Sequence, residues 1–468
     1  MKQFGSKSIL FRITLTGFIV LLLCTAASAP RNTQAASGSI SGPGWIVVAS
    51  QEKITIEGGV EIIADAIRMI DTATNTIYGP FMIDEFSRYD PEDDTIRLDN
   101  YVLDVIVTSD GQMALVSDYK LQLIHFVDIA DPINPVYLSS VNLPIKPMDL
   151  VLTEDNHYAI VSDDGTKGSI LSINLHTRTR AYELVLPTFD HTEIGEPIYG
   201  YANAVDVAPD GTIVMADVEN GTIHSAILGK FGRLTYTGTQ RYFLSYDGEV
   251  NFTKTDDNQA IAPVNIAIAP DGKTVLVSDK LNYVDTKLDQ YANTFAVGVF
   301  QISTPGEIDF VEAITGLPRA MMAITFNESG DKAYMSGNDG HTYNASETPN
   351  DETLNDGLYV MDITGPGDVV FNNDQSADLQ RYTKDLSLPE SLYGVDGLAV
   401  YEGKAYITYP TLNIDEVLYP ERFVSVVDLT SFELTQLDWG LAKEMIPIGL
   451  AVRHYIPEKV YLPLVLNR

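Results

Sequence analysis

A short phrase returns seven times between residues 104 and 462, and it constrains the fold more than any other feature of the chain. Two clear copies span residues 105–118 and 266–279. In each, an alternating apolar strand, an Asp-Gly turn and a second strand ending in Ser-Asp follow one another. Asp-Gly turns tolerate positive φ and favour tight hairpins. Repeats of this length are typical of solenoids and propellers, whose units bury their apolar faces against one another.

The spacing of the repeats predicts blades of four strands. Successive copies lie 45 to 73 residues apart, which suits four short strands and loops of variable length. The turns lie at Asp110-Gly111, Asp155-Asn156, Asp210-Gly211, Asp271-Gly272, Ser329-Gly330, Glu402-Gly403 and Pro457-Glu458. We therefore predict an all-β, seven-bladed β-propeller of four-stranded antiparallel blades. Six or eight blades, or two stacked β-sandwiches, are the alternatives.

The last copy is incomplete, because the chain ends at Arg468 soon after it. Residues 66–80 resemble an outer strand pair, so we predict a closing blade shared between the N- and C-terminal segments. In this prediction Gly449–Val452 belongs to the innermost strand and Lys459–Leu462 forms the second. The alternative is a sorting or anchoring tail over Val460–Arg468, which is similar to short tails on exported proteins of some filamentous bacteria.

The N-terminus carries the features of a secretory signal. Lys2, Lys7 and Arg12 precede an apolar run, residues 15–24, that is short for a membrane span. We predict a signal peptide over residues 1–35, cleaved after Ala29 or Ala35, and a single β-propeller domain over 36–468. The localisation is then secreted or cell-surface, with no membrane span after signal removal. An uncleaved anchor, or lipidation at Cys24, is the alternative.

The net charge of the chain limits the classes of partner that it can bind. All 64 acidic residues follow residue 36 and 26 of the 30 basic residues do, so the net charge of the mature chain is about −38. Nucleic acids and anionic membranes attract basic surfaces, so the composition argues against both. A solvated exterior, cation binding and a salty habitat are the interpretations left open. The single cysteine, Cys24, leaves with the signal.

Several segments resemble repeat families of known propellers. Val127–Pro135 (VDIADPINP) resembles the outer strand and turn of LVIVD repeats, and Val360–Pro366 matches it in part. The Ala-Pro-Asp-Gly copies at 208–211 and 269–272 are similar to YVTN and NHL-like repeats. These families include surface and secreted proteins of unassigned role, lactonases and quinoprotein-like enzymes. The resemblance thus implies the fold, and it leaves the function open.

Polar residues recur where the innermost strands begin. Five of the seven blades place an acid or an amide there, at Asp104, Asp149, Asn203, Asn265 and Asp396. Converging oxygen ligands suit Ca²⁺, and an ion in the channel would also resemble the metal site of lactonase-type propellers. The alternative is that these side chains cap strand ends or bind water in the channel. The Ser-Asp pairs that end the second strands are predicted to have a structural role.

Other chemistry has little support in the sequence. The mature chain has no cysteine and no Gly-x-Ser-x-Gly motif. Its seven histidines form no His-x-x-x-His pair, so zinc is not expected. His191, beside three acids, is the best candidate for an acid–base role. Acidic segments at 89–94, 255–257 and 350–352 are weaker cation candidates.

The expected function is that of a binding or scaffold module. Long loops are predicted at 231–260, 280–293, 337–355 and 368–392, and they are rich in tyrosine and acidic residues. This composition suits a protein, peptide or carbohydrate partner that binds one rim of the propeller. The propeller is expected to be a monomer. The first alternative is a calcium-dependent lactonase-type hydrolase, with unknown catalytic residues and the ion in the channel. A quinone-cofactor propeller is the third hypothesis.

Overall fold

The computed structural model describes most of the chain between residues 44 and 453. The described ranges are 44–55, 61–83, 102–163, 168–187, 189–190, 197–198, 202–218, 220–245, 250–252, 258–279, 296–315, 317, 320–338, 356–379, 397–408, 413–414, 417–418, 423–438 and 446–453. The predicted signal peptide lies outside these residues.

The regular secondary structure of the described residues is almost entirely β-strand. In chain order the strands are β1 (Trp45–Thr55), β2 (Glu61–Asp71), β3 (Thr76–Met82), β4 (Val102–Val107), β5 (Met113–Asp118), β6 (Leu123–Asp128), β7 (Val136–Asn142), β8 (Pro147–Leu152), β9 (Tyr158–Asp163), β10 (Ser169–Asn174), β11 (Thr179–Val185), β12 (Phe189–Asp190), β13 (Pro197–Ile198), β14 (Ala204–Val207), β15 (Thr212–Asp217), β16 (Thr222–Leu228), β17 (Leu234–Gln240) and β18 (Phe243–Ser245). They continue with β19 (Val250–Asn251), β20 (Asn258–Ala260), β21 (Pro263–Ile268), β22 (Thr274–Asp279), β23 (Val297–Thr304), β24 (Glu307–Ile314), β25 (Ala320–Phe326), β26 (Lys332–Asn338), β27 (Asp356–Gly365), β28 (Asp368–Leu379), β29 (Leu398–Tyr401), β30 (Lys404–Ile407), β31 (Asn413–Ile414), β32 (Val417–Leu418), β33 (Phe423–Asp428), β34 (Leu434–Asp438) and β35 (Ile446–Arg453). A 3₁₀ turn at Lys230–Gly232 separates β16 from β17.

Seven four-stranded antiparallel sheets form the blades, which confirms the predicted fold class. From the innermost strand outward, blades 1 to 6 are β4–β7, β8–β11, β14–β17, β21–β24, β25–β28 and β29-β30-β33-β34. Blade 7 is β35-β1-β2-β3. Each innermost strand contacts the next around the ring, and β35 contacts β4. Small sheets, β12-β13, β19-β18-β20 and β31-β32, interrupt the connections.

The closing blade is shared between the two ends of the chain, but the division differs from the predicted one. The outer pair β2-β3 was expected, and β35 contains Gly449–Val452 as expected. The second position is held by β1, in which Trp45 pairs with Arg453 and Gln51 with Ile446. The apolar segment Trp45–Ala49 is suited to this central position, since Ile46 to Ala49 are fully buried. The prediction that Lys459–Leu462 is the second strand is therefore wrong, and that segment lies outside the described residues.

The hydrophobic core is divided among the blade interfaces. Seven clusters of buried apolar side chains are found, and each joins two neighbouring blades. The cluster between blades 7 and 1 contains Val47 and Met69 from one blade and Val105 and Val116 from the other. Each blade alternates inward and outward side chains along its strands, and both faces are covered by neighbours, so no blade can bury its apolar surface alone.

The antiparallel order of each blade separates short turns from long connections. Turns between the first and second strands and between the third and fourth strands lie on one face, here called the turn face. The other connections begin and end on the opposite face, here called the loop face. Contacts across the turn face join blades 4 and 3 (Gly306 N–H to Thr212 Oγ1, 2.8 Å), blades 5 and 4 (Gly367 N–H to Thr274 Oγ1, 3.1 Å), and blades 7 and 6 (Lys404 Nζ to the Thr72 carbonyl, 3.2 Å). The turn face is thus interlocked.

Two of the predicted long loops contain regular strands. Leu234–Gln240 is the outermost strand of blade 3, and Asp368–Leu379 is the outermost strand of blade 5. Both segments pair with the strand before them through a tight turn, and this pairing outweighs their polar composition. The connections over 280–295 and 339–355 lie outside the described residues. Within the described ranges, no helix has the length and hydropathy needed to cross a bilayer.

Substitution of two glycines on the turn face tests how tightly its turns pack against neighbouring blades. Gly306 (φ +85°) and Gly403 (φ +75°) both adopt the left-handed conformation. A Cβ at Gly306 would lie 2.9 Å from Thr237 Cγ2 of blade 3, whereas a Cβ at Gly403 meets nothing within 4 Å. We expect Gly403→Ala to lower the free energy of unfolding by about 1 kcal/mol and Gly306→Ala by about 2–3 kcal/mol. Denaturant titration measures both, and equal losses would show that the turn of blade 4 is not tightly seated on blade 3.

Candidate functional site

Asp104 and Asp149 occupy equivalent positions in blades 1 and 2, at a β-bulge near the start of each innermost strand. The strand register shifts between Val102 and Val105 in blade 1 and at the matching place in blade 2. The bulge removes the N–H of the aspartate from the ladder. A serine of the second strand accepts that N–H instead: Ser117 Oγ for Asp104 and Ser162 Oγ for Asp149, at 2.9 Å in each blade. This is the structural role predicted for the serines of the Ser-Asp pairs.

The two carboxylates connect neighbouring blades. Asp104 Oδ2 accepts the N–H of Leu150 in blade 2 at 2.9 Å, and Asp149 Oδ2 accepts the N–H of Val205 in blade 3 at 2.8 Å. The other oxygen of each carboxylate accepts the N–H of the following residue on its own strand. Both aspartates are fully buried. Because a buried polar group must be hydrogen-bonded, these contacts fix the spacing of the innermost strands.

The carboxyl groups of Asp104 and Asp149 also lie against each other. Asp104 Oδ2 and Asp149 Oδ1 both accept the N–H of Leu150, at 2.9 and 3.0 Å. Burial raises the pKa of Asp104 well above its ordinary value, and the neighbouring charge of Asp149 raises it further. Two carboxyl groups this close favour a state that shares one proton, or a cation placed between them.

Two further predicted channel residues have hydrogen bonds of their own. Asn203 lies just before β14, where its Oδ1 accepts the N–H of Val218 at 3.1 Å. Asn265 lies in β21, and its carbonyl accepts the Ser278 hydroxyl at 3.5 Å. Asp396 lies outside the described residues. Among the predicted residues, the structure brings Asp104 and Asp149 together.

Asp206 also connects neighbouring blades, a role that the sequence analysis did not assign to it. In blade 3 the position equivalent to Asp149 is Ala204, and Asp206 follows two residues later on the same side of the strand. Its Oδ1 accepts the N–H of Val207 at 2.8 Å, and its Oδ2 accepts the N–H of Ile268 in blade 4 at 2.7 Å. An acid inside the apolar run Ala204–Ala208 was the available signal, because a buried acid in a strand needs backbone donors.

The aspartates that end the second strands bind backbone N–H groups at the loop face. Asp118 accepts the N–H of Leu121 at 2.8 Å, Asp217 that of Asn220 at 3.0 Å, and Asp279 that of Ala262 at 2.7 Å. Asp279 is fully buried, and burial raises its pKa to about 7. These residues hold the ends of loops in place, as predicted for the Ser-Asp pairs.

Two histidines belong to a recurring group that the sequence analysis missed. His125 in blade 1 and His224 in blade 3 are buried, and each lies near the aspartate that ends the second strand of its blade. Asp65 from β2 joins the group around His125. The available signal was an Asp, a His and a Tyr at the same spacing in both blades. Asp65 gave no such signal, because it comes from the neighbouring closing blade. His191 and the acidic segments at 89–94, 255–257 and 350–352 lie outside the described residues.

Removing one inter-blade carboxylate predicts a loss of stability. In Asp104→Asn one carboxylate oxygen is replaced by an NH₂ group, which would face Val105 N–H or Leu150 N–H. We expect the free energy of unfolding to fall by about 1–3 kcal/mol. Asp128→Asn is the matched control, since Asp128 accepts the N–H of Ala130 at an exposed turn and should cost less than about 1 kcal/mol. Urea unfolding of both variants tests this, and equal costs would contradict an inter-blade role for Asp104.

The raised pKa of Asp279 predicts a pH dependence. Asp279 titrates near pH 7 when folded and near 3.9 when unfolded, so its contribution to stability is complete below about pH 4 and is lost as the pH rises through 7. Asp279→Asn keeps an acceptor for Ala262 N–H, and relative to wild type it should gain roughly 2–4 kcal/mol between pH 4 and 8. Thermal unfolding across that range measures the difference.

Asp428 supplies a control of opposite sign. The backbone N–H groups of Ser431 and Thr430 lower the pKa of Asp428, so its stabilising effect is present above its unfolded pKa and is lost on acidification. The cost of Asp428→Asn should therefore shrink as the pH falls. A pH-independent difference between wild type and Asp279→Asn would contradict the assignment of the raised pKa to Asp279.

Solved structures share this fold at low sequence identity. They include a functionally unknown protein from Desulfotomaculum acetoxidans (TM-score 0.56, 16% identity), a candidate 6-phosphogluconolactonase from Bacteroides uniformis (0.54, 10%) and a protein from Lactobacillus plantarum (0.53, 14%). Each similarity covers 88% of this chain and 99% of the other. No protein-family model matches the sequence, and no curated protein does. At these identities the likeness shows the propeller fold alone, and the LVIVD and YVTN resemblance stays a prediction.

Proposed function

We propose that the protein is an exported binding or scaffold module that contacts a protein, peptide or carbohydrate partner through its loop face. The main support for this proposal is that buried carboxylates of the innermost strands accept backbone N–H groups of neighbouring blades. These acids therefore hold neighbouring blades together. The turn face is likewise engaged in contacts between blades.

The loop face offers the material for a binding surface. The strands β22 and β23, β26 and β27, and β28 and β29 are joined there by residues 280–296, 339–355 and 380–397. Long loops on a rigid scaffold are where proteins build binding sites. These segments carry Tyr283, Tyr291 and Tyr343 among acids, and tyrosine combines an apolar ring with a hydrogen-bonding hydroxyl. This composition suits a polar, uncharged or basic partner.

Export is part of the proposal and is supported by the N-terminal sequence. A basic segment, an apolar run over 15–24 and small residues before residue 36 are the three parts of a secretory signal. An extracellular location also suits a mature chain with a large negative charge, because mutual repulsion keeps such a protein soluble. We propose a monomer that is secreted or retained at the cell surface.

A calcium-dependent lactonase-type hydrolase is the second candidate. The observation in its favour is the contact between the Asp104 and Asp149 carboxyl groups, where a cation could replace a shared proton. Calcium takes about six to eight oxygen ligands, and Asn203, Asn265 and Asp396 would complete the proposed set. The binding module is favoured because the oxygens of Asp104 and Asp149 already accept backbone N–H groups and are buried.

The binding proposal predicts that the loop-face tyrosines determine affinity. Ligands would be selected on the purified protein from a glycan array and a displayed peptide library. The triple change Tyr283→Ala, Tyr291→Ala and Tyr343→Ala should then weaken binding of the selected ligand at least about 10-fold, because aromatic anchors dominate such interfaces. Titration calorimetry measures the dissociation constants.

Exposed aromatic residues away from the loop face supply the control. Phe231, which is 88% exposed on the turn face, and Tyr182 on the outermost strand of blade 2 are changed to alanine. Their loss should leave the affinity unchanged. Equal weakening by both sets of changes, or no selected ligand, would contradict a loop-face binding site. Calcium-dependent lactone hydrolysis that Asp104→Asn abolishes, with the fold intact by circular dichroism, would favour the hydrolase instead.

A further inference from the structure

Three buried polar side chains meet where the ring closes. Asp65 comes from the third strand of blade 7, and Asp118 and His125 come from the second and third strands of blade 1. Both aspartates are fully buried and His125 is 1% exposed. One potential ligand atom from each side chain lies within 4.8 Å of the other two. The group thus bridges the N-terminal segment and the first complete blade.

Blade 3 contains the same residues in a closed arrangement. Asp217, His224 and Tyr236 repeat the spacing of Asp118, His125 and Tyr137: the His follows the Asp by 7 positions, and the Tyr follows the His by 12. His224 Nε2 lies 3.2 Å from Asp217 Oδ2, and His224 Nδ1 lies 3.3 Å from the Tyr236 hydroxyl. Asn220 Nδ2 also donates to Asp217 Oδ2 at 2.7 Å. The imidazole of blade 3 therefore has both ring nitrogens in hydrogen bonds.

The corresponding imidazole in blade 1, that of His125, lacks these hydrogen bonds. Here the distance from His125 Nε2 to Asp118 Oδ2 is 3.8 Å, too long for a hydrogen bond. In the described part of the chain, neither ring nitrogen of His125 nor Asp118 Oδ2 has a hydrogen-bond partner. The His125 and Tyr137 rings keep the same 6.0 Å centroid separation as the pair in blade 3. A buried imidazole in this state needs a further partner, because unsatisfied buried polar atoms are costly.

The donor set identifies the class of that partner. Two carboxyl groups and one imidazole, all buried, offer the oxygen and nitrogen ligands that divalent metal ions take in proteins. An imidazole nitrogen with carboxylate oxygens suits zinc, manganese, iron or cobalt, whereas calcium prefers oxygen ligands. We propose that Asp65, Asp118 and His125 bind one divalent first-row transition-metal ion between blades 7 and 1.

Such an ion would have a structural role. All three ligands are buried between blades 7 and 1, so a substrate has no access to the ion. The ion would join β2, which comes from the N-terminal segment, to β5 and β6 of blade 1. Metal binding would therefore stabilise the closing blade against separation from its neighbour. This inference does not depend on the proposed binding function.

The test measures metal binding and stability together. The purified protein is stripped with a chelator and dialysed, and zinc, manganese and cobalt are then titrated separately by calorimetry, with bound metal counted by mass spectrometry. We expect one ion per chain and a higher thermal midpoint with metal than with chelator. His125→Gln should weaken binding at least about 100-fold and remove the metal-dependent part of the midpoint.

His224→Gln is the matched control, because it changes the same residue of the same triad in blade 3. It should lower stability by breaking hydrogen bonds, yet keep one ion per chain with unchanged affinity. If none of the three metals binds, or if His125→Gln binds as wild type does, the proposal is overturned. Binding lost equally in both histidine variants would also overturn it, since that pattern reports general destabilisation.

A spectroscopic measurement covers the case in which His125→Gln does not fold. Cobalt(II) added to the stripped wild-type protein should give visible d–d absorption bands of the intensity expected for a four- or five-coordinate ion. Excess zinc should abolish these bands by displacement. Asp65→Asn should shift or remove them, while Asp163→Asn, a buried end-of-strand acid of blade 2, should leave them unchanged. Absence of the bands in wild type contradicts the site.

Discussion

The structure depends on the pairing of β35 with β1, which closes the ring. Every blade buries apolar side chains against two neighbours, so the seven interfaces all persist only when the last blade meets the first. Because β35 comes from the C-terminal segment and β1 to β3 from the N-terminal one, separating the two segments requires breaking the pair of the innermost and second strands of blade 7. Closure also removes the exposed sheet edges that an open array would present at its ends.

A second constraint comes from the β-bulges near the start of the innermost strands. In blades 1 and 2 a bulge takes the N–H of Asp104 and of Asp149 out of the ladder, and Ser117 and Ser162 accept these groups. The innermost strand is also an edge of its sheet, and Asp104, Asp149 and Asp206 accept N–H groups of the next innermost strand. The cost is a set of buried carboxyl groups, and burial raises the pKa of Asp104 for that reason. Asp104, Asp149 and Asp206 therefore each have a role in holding neighbouring blades together.

Different parts of the propeller stabilise the fold and are available to bind a partner. The innermost strands and the turn face are committed to contacts between blades, which leaves the loop face and its long connections for a partner. The two histidine groups show how one repeat can diverge under these conditions. In blade 3 the imidazole is saturated by its own blade, and in blade 1 the same imidazole faces an acid from the closing blade. Its position at the point of closure makes a structural metal chemically reasonable there.

The sequence by itself determined the fold class, favoured seven blades over six or eight and predicted the sharing of the last blade, because period-2 strands and Asp-Gly turns are local signals that repeat along the chain. It also identified Asp104 and Asp149 as inner-strand residues and the serines as structural. Only the tertiary structure decided that β1 takes the second place in the closing blade, and that Asp206 is the third inter-blade acid. The same is true of the meeting of Asp65 with Asp118 and His125. The physical reason is that pairing partners and contacts between blades join residues far apart in the chain, and no local pattern records which acid will face which donor.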